Sequence, residues 1–264
     1  MRTFKLTIAY DGTAYAGWQV QPKRDTVQSA MEKAVASITG QTARVTASGR
    51  TDAGVHALGQ VVSFSVETDL EPDVLLRAIN AETPDDVAVI DAAEVPAGFH
   101  PIRDAVSKRY RYVIRDGAVP DVFDRQYCWH YRHGRLDDKA MARAAEGLLG
   151  KHDFSSFETS GAPRESSVRT VYDIVIRRGD SQQGRAVSQQ GRAGEGDRIV
   201  LEIEADGFLY NMVRAIVGTL VEVGRGAQSE AWPAEVLART DRRAAGPTAP
   251  PQGLFLLEVD YPGP

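Results

Sequence analysis

Apolar residues alternate with polar or small ones over residues 4–10, which is typical of a strand with one buried face. From Val27 to Ile38 the apolar residues recur every three or four positions, as on one side of a helix, and Gly40 follows where a helix commonly ends. Apolar and polar residues then alternate again in the residues before Val66, which predicts a second strand. The next segment, PDVLLRAIN, predicts a short helix because proline suits a first helical turn, and VAVIDA predicts another strand.

A second series of elements follows the first. Strands are predicted in RYRYVIR, in the pair VYDIVIRR and IVLEIEA, and in LFLLEVDY near the C-terminus. Helices are predicted in DDKAMARAAEGLLG and in FLYNMVRAIVGTLVEVG, whose apolar stripe runs from Phe208 to Leu220. Single helices between strands indicate an α+β protein with two domains, at residues 1–106 and 107–264. We expect each domain to be an α/β sandwich, with helices on one face of a mainly antiparallel sheet.

Residues 180–197 differ in composition from the rest of the chain. They contain the sequence QQGRA twice and almost no large apolar residues. Such a segment cannot bury enough apolar surface to become ordered, so it predicts a flexible loop within a hairpin. A direct RNA contact through Arg185 and Arg192 is the alternative.

Length and composition restrict the class of protein. With 264 residues, 42% hydrophobic and 25% charged, the chain has the composition of a globular protein. It has no apolar run near the ~20 residues that cross a bilayer, and its first residues lack the pattern of a signal peptide. Cys128 is the single cysteine, so no intrachain disulfide forms. These observations favour a cytoplasmic protein without a membrane anchor.

One segment departs from the net charge of −5, which by itself argues weakly against nucleic-acid binding. In RDAVSKRYRYVIR, residues 103–115, five cationic side chains face the single acid Asp104, and two tyrosines lie among them. Cations suit phosphates and aromatic rings suit exposed bases, so we favour an RNA-binding strand. The alternative is an edge strand whose cations prevent pairing with another sheet.

Standard cofactor and metal motifs are absent from the sequence. There is no phosphate-binding glycine loop with lysine, no Gly-x-Gly-x-x-Gly and no Cys-x-x-Cys. His130 and His133 have the spacing of helical metal ligands, but they fall in a predicted strand or turn without further ligands nearby. We therefore expect no cofactor and no metal.

The segment GRTDAGVH, residues 49–56, combines charged side chains with two glycines. It fits a surface turn, because Asp-Ala-Gly is favourable turn chemistry and Gly54 tolerates a positive φ. It also fits a catalytic carboxylate, Asp52, on a loop beside an arginine that binds phosphate. The segment alone does not decide between these two interpretations.

Seven segments occur in an order that resembles the TruA family of tRNA pseudouridine synthases. They are AYDGTAYAGWQVQP, GRTDAGVHALGQV, FHPIRDAVSKRYRYVI, FSSF, RTVYDI, NMVRAIVGTLVEVG and GLFLLEVDYP. The resemblance covers residues 4–262, and GRTDAGVHA is highly specific to the family. It implies the pseudouridine synthase fold, with the two sheets meeting over a central basic cleft. The stretch at residues 180–197 is longer than the family's usual loop.

The resemblance implies an isomerase that converts uridine to pseudouridine at nucleotides 38, 39 and 40, in the anticodon stem-loop of tRNA. Because the reaction neither adds nor removes atoms or electrons, it needs no cofactor. The resemblance also implies a homodimer that binds one tRNA across both subunits. Two other classes stay open: an RNA-binding module without catalysis, and a glycoside hydrolase that uses Asp52 with a second carboxylate.

Asp52 matches the family's catalytic nucleophile, which attacks C1′ or C6 or acts through a glycal intermediate. Arg214 matches the arginine that pairs with this aspartate, and Arg50 the one that helps to turn the nucleotide out of the stem. Tyr110 matches the tyrosine that stacks on the base and relays the C5 proton. Leu254 lies with Phe255 as an apolar wall behind the base.

Further RNA contacts are expected from four side chains of the two motifs: Lys108, Arg109, Arg111 and His56. For His56, a role in orienting the loop is the alternative to a phosphate contact. Trp18 fits either a stacking platform for a base or a core position.

Overall fold

The computed structural model describes residues 1–159, 166–179 and 197–262. The chain forms two compact units: the first comprises Met1–Lys108 and the chain from Phe255 onward, and the second comprises Arg109–Leu254. The loop predicted at residues 180–197 lies outside the described residues except for Asp197, and so do Arg185 and Arg192.

The first unit begins with a sheet and two helices. Its elements are β1 (Arg2–Tyr10), α1 (Val27–Thr39), β2 (Thr46–Ala47), β3 (His56–Val66), α2 (Pro72–Glu82) and β4 (Val87–Val95). The strand order is β4-β1-β3, with both pairings antiparallel, and β2 pairs with β3 on its own. All the helices and long strands expected from the pattern are present in this part of the chain.

The sequence pattern explains these elements directly. In β1 the side chains of Phe4, Leu6 and Ile8 are fully buried while the residues between them are partly exposed, as the alternation predicts. Helix α1 begins at a capping box between Thr26 and Ser29. It ends at Gly40, whose φ of 68° lies in the left-handed region expected of a helix C-cap.

The second unit contains the remaining helices. Its elements are β5 (Ser107–Arg115), β6 (Trp129–His130), α3 (Asp138–Ala145), β7 (Gly150–Asp153), β8 (Val168–Arg178), β9 (Arg198–Ala205), α4 (Met212–Gly224) and α5 (Trp232–Arg239). The first two residues of β5 belong to the first unit. The strand order is β5-β9-β8-β7, and β6 pairs with β5 in parallel. The antiparallel pair β8–β9 confirms the predicted hairpin.

Helix α4 is shorter at its start than predicted. The sequence pattern placed Phe208 in the helix, but the first helical residue is Met212. The reason is Asn211, which precedes the helix in a left-handed conformation with φ of 61° and so interrupts helical geometry there. Phe208 therefore lies before α4 and is not part of its apolar stripe.

The last strand, β10 (Leu254–Asp260), joins the first unit. It pairs with β3 in parallel, with Phe255 opposite His56 and Leu256 opposite Ala57. The sequence analysis had assigned residues up to 264 to the second domain, because an alternating pattern shows that a strand forms but not which sheet it joins.

The predicted α+β class with mainly antiparallel sheets is confirmed. The expected cleft between the two sheets stays a prediction. None of the helices in the described residues is long and apolar enough to cross a membrane.

Candidate active site

The GRTDAGVH segment forms the loop between β2 and β3. Asp52 is half-buried in this loop, whereas Arg50 is exposed. The loop turns tightly, because the Val55 amide donates to the Asp52 carbonyl at 3.1 Å and Gly54 has the positive φ that the turn interpretation required. The segment is therefore a turn, and it carries the half-buried acid Asp52 and the exposed cation Arg50.

A second segment, Tyr10 to Trp18, holds this loop by hydrogen bonds to Thr51. The Trp18 amide donates to the Thr51 carbonyl at 3.0 Å, and the hydroxyls of Tyr10 and Thr51 lie 2.8 Å apart. The residue next to Asp52 is thus bonded through both its backbone and its side chain. We name residues 10–18 the brace.

Two glycines of the brace allow the loop to lie against it. A Cβ at Gly12 would stand 2.0 Å from the Val55 carbonyl oxygen, and a Cβ at Gly17 would stand 2.7 Å from the Thr51 carbonyl oxygen. Both distances are too short for any side chain, so only glycine permits this backbone contact. The proximity in space of AYDGTAYAGWQ and GRTDAGVH follows from this contact.

His56 lies inside the first unit rather than on its surface. Its ring is 2% exposed, and Nδ1 is 3.1 Å from both the Gly12 amide nitrogen and Asp11 Oδ1. The ring also stacks on Phe255, with 4.7 Å between centroids. A ring so enclosed favours the orienting interpretation of His56 over a phosphate contact, and the role of His56 stays a prediction.

The positions of Trp18 and Lys108 bear on the RNA contacts expected of them. Trp18 is buried, which favours the core interpretation over a stacking platform. The Lys108 ammonium donates to the Ser48 carbonyl at 2.6 Å, at the point where the loop leaves β2. In the free protein Lys108 therefore contacts the base of the loop.

In the second unit Tyr110 lies on β5 and is buried. Its ring meets the ring of Phe208 edge to face, with centroids 5.0 Å apart and an angle of 80°. The sequence analysis missed Phe208 as a neighbour of this site, because it assigned Phe208 to the buried stripe of α4. The left-handed Asn211 is the signal that could have revealed it, since Asn is one of the few residues that adopt this conformation readily.

Arg214 lies in the first turn of α4 and is partly buried. Its Nε donates to the Ala249 carbonyl at 2.7 Å, and Nη1 donates to Asn211 Oδ1 at 2.8 Å. Ala249 returns a bond, because its amide donates to the Arg214 carbonyl at 3.0 Å. Burial raises the pKa of the Tyr112 phenol well above its usual range, and the Arg214 charge acts against that rise. The Ala249 carbonyl and the Asn211 side chain thus fix the direction of the Arg214 guanidinium.

The arginine side chains of β5 are paired with carboxylates. Arg109 forms ion pairs with Asp173 at 3.0 Å and with Glu204 at 2.5 Å, and Arg111 pairs with Glu202 at 2.7 Å. The Arg111 side chain is only 11% exposed. Acids from β8 and β9 thus lie opposite cations that looked unopposed in the sequence, and the RNA contact of Arg111 stays a prediction.

The same pairing continues at both ends of the basic segment. Arg115 forms ion pairs with Asp121 at 3.2 Å and with Asp124 at 3.4 Å. Arg103 bonds to its neighbour Asp104 at 2.9 Å. Acids from outside the segment thus pair with three of its five cations, the arginines of β5.

No group of three or more His, Cys, Asp or Glu side chains in the described residues has an arrangement that could hold a metal ion. Cys128 is buried, and burial raises the pKa of its thiol to about 11. Since the thiolate is the reactive form, Cys128 is an inert core residue at neutral pH.

The structure thus brings the candidate residues together in two sets. The first unit holds Arg50, Asp52, His56 and Lys108 around one loop. The second holds Tyr110, Arg109 and Arg111 on β5, Arg214 on α4, and Leu254, buried, at the start of β10. The pairing of Asp52 with Arg214 stays a prediction.

Comparison with known proteins identifies the family of this chain. A sequence model of the family described as tRNA pseudouridine synthase matches residues 6–102 and 144–262. The tRNA pseudouridine synthase A of Halalkalibacterium halodurans is 46% identical over 256 residues, which cover 97% of this chain and 91% of that protein. The protein of the same name from Moorella thermoacetica is 47% identical over 264 residues, covering 99% and 100% respectively.

A solved structure of a Cbf5–Nop10–Gar1 complex is also similar, with 12% identity and a TM-score of 0.32 over 82% of this chain and 54% of that one. A likeness of that size adds nothing to the assignment, which rests on the family match and on relatives of full length. The chain belongs to the tRNA pseudouridine synthases, the isomerases that convert uridine to pseudouridine in tRNA.

Proposed function

We propose that this enzyme isomerises uridine at nucleotides 38, 39 and 40 of the tRNA anticodon stem-loop, with Asp52 as the nucleophile. The observation that carries the proposal is the loop geometry. Asp52 is half-buried on a loop whose backbone is bonded on both sides, and so it is held in place before substrate binds. A turn that only reverses the chain at the surface does not require these additional hydrogen bonds from the brace.

The reaction exchanges one bond for another. The N1–C1′ bond breaks, the uracil turns while it stays in the site, and a C5–C1′ bond forms. The C5 hydrogen leaves as a proton and N1 gains a proton, so atoms and electrons balance without a cofactor. Asp52 begins this sequence by attack on C1′ or C6, or by way of a glycal intermediate. No second carboxylate is required, because no water attacks the sugar.

The other residues bind and orient the nucleotide. Arg50 is the exposed cation of the loop, and it contacts phosphate while the target nucleotide turns out of the stem. Tyr110 stacks on the uracil and takes part in removal of the C5 proton, with Phe208 fixing the tilt of its ring. Arg214 keeps Asp52 ionised, since a neighbouring cation favours the charged form of an acid. Leu254 forms the apolar wall behind the base.

We propose further that the enzyme acts as a cytoplasmic homodimer on one tRNA. Support for a partner comes from Val119 and Phe123, which are 80% and 69% exposed in the single chain. Exposed large apolar side chains are typical of surfaces that another protein covers when they form a patch. A dimer also joins cationic surfaces of two chains whose net charge is otherwise negative.

Release of tritium from uracil labelled at C5 tests the function directly, because the new C5–C1′ bond expels that hydrogen. Three anticodon stem-loops, each with uridine at only one of positions 38, 39 and 40, give the position specificity. We expect release from all three and none from a stem-loop without uridine there. Binding without release would instead indicate an RNA-binding module, and free uracil in the supernatant would indicate a hydrolase.

A further inference from the structure

We propose that Gln60 is a positioning residue that fixes both ends of the segment Arg50–Thr51–Asp52. Gln60 lies on β3, outside the loop. Its side chain is fully buried in the first unit. The inference concerns how the loop is held and rests on the proposed role of Asp52.

The Gln60 amide binds the start of the loop with both of its polar atoms. Its Nε2 donates to the Gly49 carbonyl at 3.0 Å, and its Oε1 accepts from the Ser48 hydroxyl at 2.6 Å. Ser48 is also fully buried, and its carbonyl accepts from Lys108. The residue before Arg50 is therefore tied to β3 by the Gln60 side chain.

The same amide reaches the other side of Arg50 through Tyr10. Burial raises the pKa of the Tyr10 phenol to about 12, and hydrogen bonds with Thr51 and Gln60 act against that rise. Tyr10 lies on β1, where Ile8 pairs with Gln60 of β3, so the Tyr10 and Gln60 side chains lie on neighbouring strands. The Tyr10 hydroxyl is also 2.8 Å from the hydroxyl of Thr51, the residue that precedes Asp52. Gln60, Ser48, Tyr10 and Thr51 form one buried network, which we call the Gln60 network.

Only an amide meets the requirements of this position. Gly49 needs a donor and Ser48 needs an acceptor at the same place, and the glutamine side chain supplies both without a charge. A hydrophobic residue of the same length would leave the Gly49 carbonyl and the Ser48 hydroxyl without these bonds in a buried region, which is costly. The loop would then move to find other partners, and Asp52 would move with it.

We expect that movement to slow the chemical step of the reaction. A displacement of about 1 Å of a catalytic group can lower turnover about 100-fold, even when substrate still binds. The network contributes no charge to the RNA-facing surface, so affinity for tRNA should hardly change. The expected effect is therefore a fall in kcat at nearly constant KM.

The test compares Gln60→Met with Gln28→Met. Gln28 is also a buried amide of the first unit, and its Nε2 donates to the Val45 carbonyl at 2.8 Å while its Oε1 accepts from the Val20 amide at 3.0 Å. The two substitutions remove the same chemical group from similar surroundings. Gln28 does not bond to the loop, so it controls for the general loss of stability.

We expect kcat to fall roughly 10- to 100-fold in Gln60→Met, with KM within about threefold of the wild type. Gln28→Met should lower Tm by a similar amount and leave kcat within about twofold. Equal Tm losses with normal kcat in both variants would overturn the proposal. If Gln60→Met does not fold, Tyr10→Phe takes its place, because it removes only the hydroxyl that joins the network to Thr51; normal kcat in that variant would overturn the proposal equally.

Hydrogen exchange gives a readout that needs no activity. The Trp18 amide bonds to the Thr51 carbonyl and the Val55 amide to the Asp52 carbonyl, so both report on the loop. In RNA-free protein, Gln60→Met or Tyr10→Phe should speed exchange at these two amides. Gln28→Met should leave the Val55 amide unchanged; the Trp18 amide is not used for this control, because the Gln28 side chain holds the nearby Val20 amide. Unchanged exchange would refute the anchoring. Failure of the proposed function would be recognised separately, by a wild-type enzyme that releases no tritium while the exchange result stands.

Discussion

The Asp52 loop and the β5 strand both carry charged residues, but the fold holds them by opposite means. Around the loop, neutral groups bond to residues that precede Asp52: the Tyr10 hydroxyl and the Trp18 amide bond to Thr51, and the Gln60 side chain bonds to the Gly49 carbonyl. On β5, carboxylates pair with the arginines themselves, and Glu202 faces Arg111 at 2.7 Å.

The difference separates two uses of charge in one molecule. Neutral hydrogen bonds fix the position of a segment without adding a charge to it. Ion pairs cancel the charges that form them and fix the relative position of strands, at little net gain in free energy. These contacts thus hold the loop through neutral hydrogen bonds and β5 through ion pairs, although only the sequence around β5 is rich in charge.

Replacing the acid should give the largest effect. Asp52→Asn keeps the shape of the side chain but removes the nucleophile, so we expect tritium release to fall to background. Folding and stem-loop affinity should be unchanged, since phosphate binding comes from cations. Asp73→Asn, an exposed site on α2, is the control and should retain normal turnover. Wild-type release by a pure Asp52→Asn protein would show that the loop is only a turn.

Tyr110 tests whether the second unit contributes to the chemistry. Tyr110→Phe keeps the ring and its edge contact with Phe208, and Tyr110→Ala removes both ring and hydroxyl. We expect roughly 100-fold slower turnover in both, because acid–base groups contribute on that order, and weaker stem-loop binding in the Ala variant alone. A Phe variant with the normal rate would show that the hydroxyl moves no proton.

The ion pairs of β5 should matter for stability rather than RNA affinity. Glu202→Gln leaves the nearly buried Arg111 beside an uncharged group, so we expect a loss of about 2–3 kcal/mol in the free energy of unfolding. Arg111→Met should cost less, because Glu202 keeps a second partner, Arg177, at 3.2 Å. Chemical denaturation measures both variants.

The salt dependence of stem-loop binding separates the two regions further. Arg50→Met should reduce the slope of log affinity against log salt by about one, as expected for the loss of one phosphate contact. The matched change Arg111→Met should leave the slope as it is. A reduced slope in Arg111→Met would restore the RNA-binding interpretation of β5.

The smallest effect is expected from changes in the segment 181–196, whose composition differs from that of the rest of the chain. Its ends are already joined, because the Gly179 amide donates to the Arg198 carbonyl at 2.9 Å. Replacing residues 181–196 by a short glycine-serine turn should therefore leave Tm unchanged and activity within a few-fold. A large loss of tRNA affinity at unchanged Tm would show that Arg185 and Arg192 contact RNA.

The sequence predicted the elements of the fold better than their arrangement. Alternation and helical spacing depend on local sequence, and so β1, α1 and the β8–β9 hairpin were found where expected. The pattern of β10 is equally clear, but its partner β3 lies about 200 residues away and no local signal identifies it. The start of α4 was missed because one left-handed residue, Asn211, overrides the apolar period.

For the candidate site, motif recognition located the loop but not what surrounds it. The partners of Arg109 and Arg111 come from β8 and β9, so counting charges within one segment gave the wrong local balance. Gln60 carried no signal either, since a single glutamine in a strand has no distinguishing pattern. Its role depends on which atoms the fold brings to its two ends.

The glycine contacts of the brace have a consequence for mutational tolerance. In a saturation screen scored on activity, Gly12 and Gly17 should accept almost no substitution, because even the methyl group of alanine would meet the Val55 or Thr51 carbonyl. Such a map would mark both positions as strongly as a catalytic acid. Interpreted alone, it would assign substrate contacts to two residues that only leave room for the loop.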